Sequence, residues 1–343
     1  MKNTMKCAMY YHNRDIRLEE IPVPGIGEDE LLVKMHACGI CGSDVLEWYR
    51  VNKAPLVLGH EMTGEIAEAG SNVSAYHEGE RVFVSHHVPC NTCRYCLAGH
   101  YTVCDTLRST NFDPGGFAEY IRVPALNVDR GVFLLPDDVS YEQGTFIEPL
   151  ACVLRGQKIA HLKPGQSVFI LGAGISGLLH LKVAKALGAG AVFVADILQE
   201  RLAFAEQFGA TGAFPSDTDV PEQLKEANHG HLADLVIVAA GAVEALNMAW
   251  KTVDRGGTIL IFAPPEPGID IPLPLFDIWH DGITITTTYA GSPLDITEAM
   301  ELIRSKNVAV EDMITHRLPL ARASEGFALV EKARDSLKVI IEP

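Results

Sequence analysis

The first third of the chain is built of short apolar pieces, LLVKMHACGI, MTGEIAEAG, ERVFVS and GFAEYIRV, punctuated by segments such as PVPGIG and HVPCN that carry glycine or proline. Short extended runs broken by turn residues predict strands with all-β texture. From Gln166 the pattern changes: SVFILGAGISGLLHLKVAKALGA reads as a continuous apolar strand, a glycine turn and then apolar residues at helical spacing. AVFVADI, ADLVIVAAG and GTILIFA follow at intervals with helix-like segments between them, which predicts repeated strand–helix–strand units around a parallel sheet. Beyond Thr286 the pattern is less regular. DITEAMELIRSK predicts an amphipathic helix with Asp295 as its N-cap, and SLKVIIEP predicts a closing strand. No internal repeat or low-complexity tract interrupts the chain. The expected organisation is α/β: a β-rich domain, a dinucleotide-type domain, and a C-terminal return to the first.

Composition narrows the class. At 343 residues and 48% hydrophobic the chain holds apolar material for two cores. Its 28 basic against 44 acidic side chains leave a net charge of −16, which predicts no nucleic-acid partner and no attraction to an anionic bilayer. No apolar run reaches the roughly 18 residues of a membrane span. The best candidate, from Val168 onward, is broken by His180 and Lys182. The N-terminal MKNTMKCAMYY has no long apolar stretch before a small-residue cleavage site, so a cytoplasmic protein is expected.

Of eight cysteines, four crowd into fifteen residues as Cys90-x2-Cys93-x2-Cys96-x7-Cys104. Two-residue gaps let neighbouring thiolates converge on one ion, and a fourth from a short loop completes a tetrahedral, all-sulfur, structural zinc site. An iron–sulfur cluster is the rival, but such runs usually close with a three-residue gap and a proline. Here the last gap is seven residues and Asp105 follows.

A second set is more scattered: Cys38-Gly39-Ile40-Cys41-Gly42-Ser43-Asp44, then Gly59-His60-Glu61, then Glu148-Pro149-Leu150. A thiolate, an imidazole and a carboxylate form a mixed ligand set that leaves one zinc position open, as catalytic sites require. Cys38-x2-Cys41 alone also fits a redox dithiol, and Glu148 alone fits a favourable charge at a helix N-terminus. A third signal is Gly172-x-Gly174-x-x-Gly177, directly after the strand Ser167–Leu171 and opening a helix with Ile175 and Ser176. Glycine permits the tight turn and close approach to a pyrophosphate, which sits at the helix N-terminus. Asp196 ends the next strand, 24 residues after Gly172, where a carboxylate accepts from a ribose hydroxyl and repels a 2′-phosphate. That favours NAD, with Arg201 five residues on as the group able to accommodate NADP instead.

In this order the motifs resemble the zinc-dependent medium-chain dehydrogenases, and most of all their sorbitol (polyol) and threonine dehydrogenase branch. CGICGSD, GHE, the four-cysteine lobe, GGFAEY, EPL and GAGISG carry the resemblance, which covers almost all of the chain. It implies a GroES-like catalytic domain over 1–151 with a structural zinc lobe at about 86–108, a Rossmann NAD-binding domain over 152–287, and a return to the catalytic domain over 288–343. It further implies that Cys41 and His60 bind catalytic zinc, that Cys38 does not, and that Glu61 and Glu148 are the exchangeable acidic ligands. Two zinc ions per chain follow, one catalytic and one structural. Glu148-Pro149 fits the polyol pattern, where threonine dehydrogenases often carry Asp-Pro.

Ser43 matches the hydroxyl that contacts the substrate and starts a proton relay. The position where many relatives place the next relay histidine holds Leu46, so the expected route runs through the cofactor ribose or ordered water. With an open metal position, a secondary alcohol is deprotonated near neutral pH and hydride passes to the nicotinamide. Trp48, Tyr49 and Tyr289 are candidate pocket residues. The same site run in reverse reduces a ketone or keto-sugar. A non-catalytic nucleotide-binding protein is the remote alternative, for which the intact Cys41, Ser43, His60, Glu61 and Glu148 would have no use. The resemblance also implies a homodimer or homotetramer, joined through the sheet edge near GTILIFA.

Overall fold

The last strand of the chain, Lys338–Glu342, pairs antiparallel with Leu31–Gly39, so the two chain ends build one unit. The computed structural model, which describes residues 3–343, divides into this split unit, up to Ala151 together with Ala290–Pro343, and a continuous unit, Cys152–Tyr289.

In the split unit Leu31–Gly39 pairs with Glu61–Ala69, Tyr120–Val123 and Lys338–Glu342, and the sheet extends through Arg81–Val84 to Val132–Leu134. A smaller sheet joins Thr4–His12 to Asp15–Pro22 and Leu56–Val57. The apolar side chains of both sheets form one core that includes Tyr10, Val33, Met35, Ile66, Phe117, Phe327 and Ile341, each at most 1% exposed. Helices are more numerous here than the β texture of the first third predicted: short turns such as Glu47–Arg50 and Asp105–Ser109 lie between strands, too brief to leave a 3.6-residue apolar period. The predicted C-terminal helix is present as Pro293–Arg304, but its cap is Ser292. Asp295 is instead the third helical residue, and its carboxylate reaches back to the Ser292 N–H at 2.9 Å. Serine followed three residues later by an acid is a capping box, and the reading that put the cap on the acid missed it.

In the continuous unit six strands lie in the order Gly212–Pro215, Ala191–Asp196, Ser167–Leu171, Ala233–Val238, Val253–Ile261, Thr284–Thr287, all parallel. Every residue of Ser167–Leu171 is buried, as a central parallel strand covered on both faces must be. The strand carrying GTILIFA is not an edge: it lies between Ala233–Val238 and Thr284–Thr287. The edge strand beside it is Thr284–Thr287, in which three threonines and one isoleucine gave a weaker strand signal in the sequence. Among the described residues no helix is long and apolar enough to cross a membrane.

Candidate active site and nucleotide loop

Cys41 follows the end of the strand Leu31–Gly39 and caps the turn Gly42–Val45. Its Sγ accepts the Ser43 N–H at 3.4 Å, while its own N–H donates to Asp44 Oδ2 at 3.1 Å. His60 stands just before the strand Glu61–Ala69, with its Nδ1 facing Asp44 Oδ1 at 3.4 Å. This leaves Nε2 for a metal, and a carboxylate behind a ligating imidazole fixes its orientation. Burial pushes the His60 imidazole down, but Asp44 and Cys41 outweigh it and hold it well above its ordinary value. Burial pushes the Asp44 carboxyl up, and His60 and Arg50 more than reverse that.

Cys41, His60 and Glu61 each offer one donor atom within 4.8 Å of the others. Sulfur, nitrogen and oxygen from three residues fit a catalytic zinc and leave its fourth tetrahedral position for water or an alcohol. Cys38 lies outside this set. Its side chain is wholly buried, and burial with Glu61 and Asp44 nearby keeps its thiol protonated well above the usual range.

Glu61 has a partner that sequence reasoning missed. Lys338 is 0% exposed and forms an ion pair with the Glu61 carboxylate, itself 1% exposed. The strand register explains the pairing: Gly39 lies opposite Glu61 on one neighbouring strand and opposite Ile340 on the other. Glu61 and Lys338 meet in the space that glycine leaves, since a Cβ at Gly39 would fall 2.8 Å from the lysine Nζ. Lys338 also stands 5.3 Å from the centre of the Phe146 ring. A lysine inside the otherwise apolar run SLKVIIEP was the available signal, because a buried charge requires a counter-charge.

Arg50 was missed as well. Its Nη2 donates to Ser43 Oγ at 2.9 Å and its Nε to the Ser43 carbonyl at 3.0 Å, and the guanidinium reaches Asp44 Oδ1 at 3.3 Å. The Ser43 oxygen is thereby held as an acceptor. Tyr49 lies under Arg50 at 4.6 Å and Trp48 packs on Tyr49 at 5.6 Å, both on the partly exposed helix Glu47–Arg50. Tyr289 ends the continuous unit, 44% exposed.

Glu148 stands in the first turn of the helix Ile147–Ile159 and lies outside the three-donor set. It lines a small cavity with Ser85, His86, His87, Ala151 and Ile296. These two histidines, at the start of the cysteine lobe, were not singled out in the sequence. Burial, with His87, His60 and Arg50 nearby, pushes His86 well below the ordinary imidazole range, and burial pushes His87 down to about 4.

The four lobe cysteines bring their sulfurs within 4.8 Å of one another, Cys93 to Cys96 at 3.6 Å and Cys90 to Cys96 at 4.0 Å. Ligands 2.3 Å from a tetrahedral zinc lie about 3.8 Å apart, so the set fits. None of the four is in a disulfide. The Thr92 N–H holds Cys90 down to about 5, in the thiolate form a metal requires.

In the continuous unit Gly172 has φ +104°, a conformation side chains rarely adopt, and a Cβ at Gly177 would overlap the Gly172 carbonyl. Gly174 caps the helix Ile175–Ala186, which presents Ile175 and Ser176 in its first turn, and the Arg201 guanidinium covers the position a Gly174 Cβ would occupy. Asp196 Oδ2 accepts the Ala173 N–H at 2.6 Å and Oδ1 the Leu198 N–H at 2.9 Å, so this carboxylate also pins the glycine loop. Burial pulls the Arg201 guanidinium down, opposed by Asp196.

The sequence profile of the alcohol dehydrogenase GroES-like domain matches residues 27–137, and that of the zinc-binding dehydrogenases matches residues 176–305. The chain is 33% identical to a sorbitol dehydrogenase of Bacillus subtilis over 352 aligned residues, covering 99% of this chain and 97% of that protein. Among solved structures it resembles a zinc-binding dehydrogenase of Sinorhizobium meliloti bound to NADP, at 29% identity and TM-score 0.89 over 100% of both chains. It also resembles 2R,3R-butanediol dehydrogenase of Bacillus subtilis, at 28% identity and TM-score 0.86 over 99% of both.

Proposed function

Because the chain belongs to the family of zinc-binding alcohol dehydrogenases, we propose that it transfers hydride between NAD and a secondary alcohol, a polyol or cyclitol, in a reducing cytoplasmic setting. The observation that carries this reading is the convergence of Cys41, His60 and Glu61 donors within 4.8 Å of one another. Zinc held there supplies Lewis acidity that lowers the pKa of an alcohol near neutral pH. Cys90, Cys93, Cys96 and Cys104 hold a second, structural zinc, closed by four sulfurs and taking no part in the reaction. The domain roles follow: the split unit binds substrate, and the continuous unit binds the dinucleotide through Gly172, Gly174 and Gly177.

Ser43 receives the alcohol proton. Its oxygen is oriented by Arg50, and a guanidinium has no lone pair to accept a proton, so Arg50 positions the hydroxyl and carries nothing onward. The proton leaves by the cofactor ribose or by water. Asp196 favours NAD because a carboxylate beside the ribose repels a 2′-phosphate; Arg201 over Gly174 is the feature that favours NADP. The site runs in both directions, so ketone reduction is the same chemistry. A homo-oligomer is supported by Leu273, Leu275, Phe276 and Trp279, 51–75% exposed in the segment that precedes the edge strand Thr284–Thr287.

The test is metal content per chain together with NAD reduction against sorbitol, xylitol, galactitol, myo-inositol, 2,3-butanediol and threonine. We expect two zinc ions and activity on a polyol, lost on chelation. In folded Cys41→Ala protein one zinc remains and activity falls by more than about a thousandfold, since the metal's Lewis acidity is worth several kcal/mol. A folded Cys41→Ala protein as fast as the parent overturns the reading.

A further inference from the structure

We propose that Asn13 is a positioning residue for the reaction, which fixes the turn Gly42–Val45 so that the Ser43 hydroxyl stays where the alcohol proton reaches it. The inference rests on the reading that Cys41, His60 and Glu61 hold the catalytic zinc and that Ser43 receives the proton.

Asn13 stands between the strands Thr4–His12 and Asp15–Pro22 and is 7% exposed. Its side-chain amide joins three separate segments. Nδ2 donates to the Val45 carbonyl at 2.8 Å and to Glu331 Oε1 at 2.9 Å, and Oδ1 accepts the Tyr10 hydroxyl at 2.8 Å. The carbonyl and the carboxylate can only accept, so the nitrogen must face them, and the oxygen is left for the phenol. Every polar atom of this buried side chain is thereby used.

Val45 is the last residue of the turn that Cys41 caps. The closing carbonyls of a helical turn have no partner inside it. Here the donor comes from a residue 32 positions earlier in the chain. The other end of the turn is held by the backbone and by packing. The Ile40 N–H donates to the Val339 carbonyl at 2.9 Å. Ile40 also lies against the helix Ala323–Lys332 at Gly326, where a Cβ would fall 2.7 Å from Ile40 Cδ1. Glu331 belongs to that same helix, and so does Phe327, on which the wholly buried Tyr10 packs at 6.1 Å between ring centres. The C-terminal helix therefore braces the turn at both ends, directly at Ile40 and through the Asn13 amide at Val45. Cys41 and Ser43 lie between the two braces. Arg50 orients the Ser43 hydroxyl, but it belongs to the helix Glu47–Arg50 into which the turn leads. The anchor to the rest of the fold is Asn13.

The experiment uses the parent, Asn13→Leu, Glu331→Ala and Glu331→Gln holoenzymes. For each we would measure kcat and KM for oxidation of the parent's best alcohol with NAD, the solvent deuterium isotope effect on kcat, zinc content and the urea midpoint. Asn13→Leu is expected to lower kcat by about 10- to 100-fold, because misplacing a reacting group by about 1 Å costs up to about 100-fold. The solvent isotope effect rises as proton transfer becomes limiting, while the KM for NAD and the two zinc ions per chain stay unchanged. Glu331→Ala, at an exposed position, lowers kcat less and in the same direction. Glu331→Gln keeps an acceptor for the amide and returns kcat to near the parent value. A residue that only stabilised the fold would lower the urea midpoint and leave kcat and the isotope effect of the folded protein where they were. That result, or loss of one zinc from Asn13→Leu, overturns the inference and leaves the dehydrogenase reading intact. Should Asn13→Leu not fold, the two Glu331 variants decide, and equal kcat in both overturns it. A parent that turns over no alcohol of any kind overturns the dehydrogenase reading and this inference together.

Discussion

The two units carry function in opposite ways. The continuous unit concentrates the features of its proposed nucleotide site in one loop, Gly172 to Gly177, closed by Asp196 from the adjacent strand. The split unit spreads its site over three strand ends and depends on an ion pair between residues 277 positions apart, Glu61 and Lys338. The first is a local backbone shape that glycines make possible. The second is a charge balance that exists only once the chain ends have met. The cysteine lobe sits within the split unit yet behaves like the first kind, because its four ligands come from one short loop.

The comparison breaks most decisively at Lys338. Lys338→Met leaves the Glu61 carboxylate buried without a counter-charge, and removing one partner of a buried pair costs about 3–5 kcal/mol. Urea denaturation should show the loss in the split unit. Arg317→Met, which removes the partly exposed pair with Glu142, serves as the control at no more than about 1 kcal/mol. Equal effects from the two variants would mean that the distant pair contributes nothing special.

A smaller effect is expected from Gly177→Ala in the continuous unit. The added methyl overlaps the Gly172 carbonyl, and such overpacking costs up to about 3 kcal/mol. It should weaken NADH binding, read by fluorescence titration, while the metal content of the split unit stays unchanged. Loss of zinc in this variant would show that the two units are not independent in this respect.

The smallest effect concerns His180, which is fully buried in the continuous unit with its imidazole pushed down by burial to about 3 from an ordinary 6.5. Between those values the unfolded chain binds a proton that the folded chain does not, so stability is complete above pH 6.5 and falls as pH drops toward 3. The loss at pH 5 should be about 2 kcal/mol. Denaturation midpoints at pH 7 and pH 5 check this, and His180→Gln should reduce the difference by about that amount, His86 and His87 contributing the rest with the same sign.

Legibility followed the same division. The strand Ser167–Leu171, the glycine turn and Asp196 were readable because apolar runs and glycine spacing are local. The cysteine lobe was readable for the same reason. The helix cap was misplaced by three residues, since Ser292 and Asp295 both suit a helix start and only backbone geometry distinguishes the cap from the third helical residue. The edge strand beside GTILIFA, Thr284–Thr287, went unread because it has little apolar character. Asp44 stood inside CGICGSD without a role, and Arg50 and Lys338 were passed over altogether. Each of these acts through a neighbour that is set by the fold and not by sequence spacing.

By itself the sequence determined the α/β class, the four-cysteine cluster and the glycine turn after the strand Ser167–Leu171, because residue type and short spacing dictate thiolate convergence and backbone turns. Only the tertiary structure decided that a Glu61 oxygen lies within 4.8 Å of donor atoms of Cys41 and His60, and that Lys338 pairs with that carboxylate across Gly39. The reason is physical. A buried charge is costly in isolation, so its meaning depends on which partner the fold brings within a few ångströms, and strand register sets that partner across hundreds of residues.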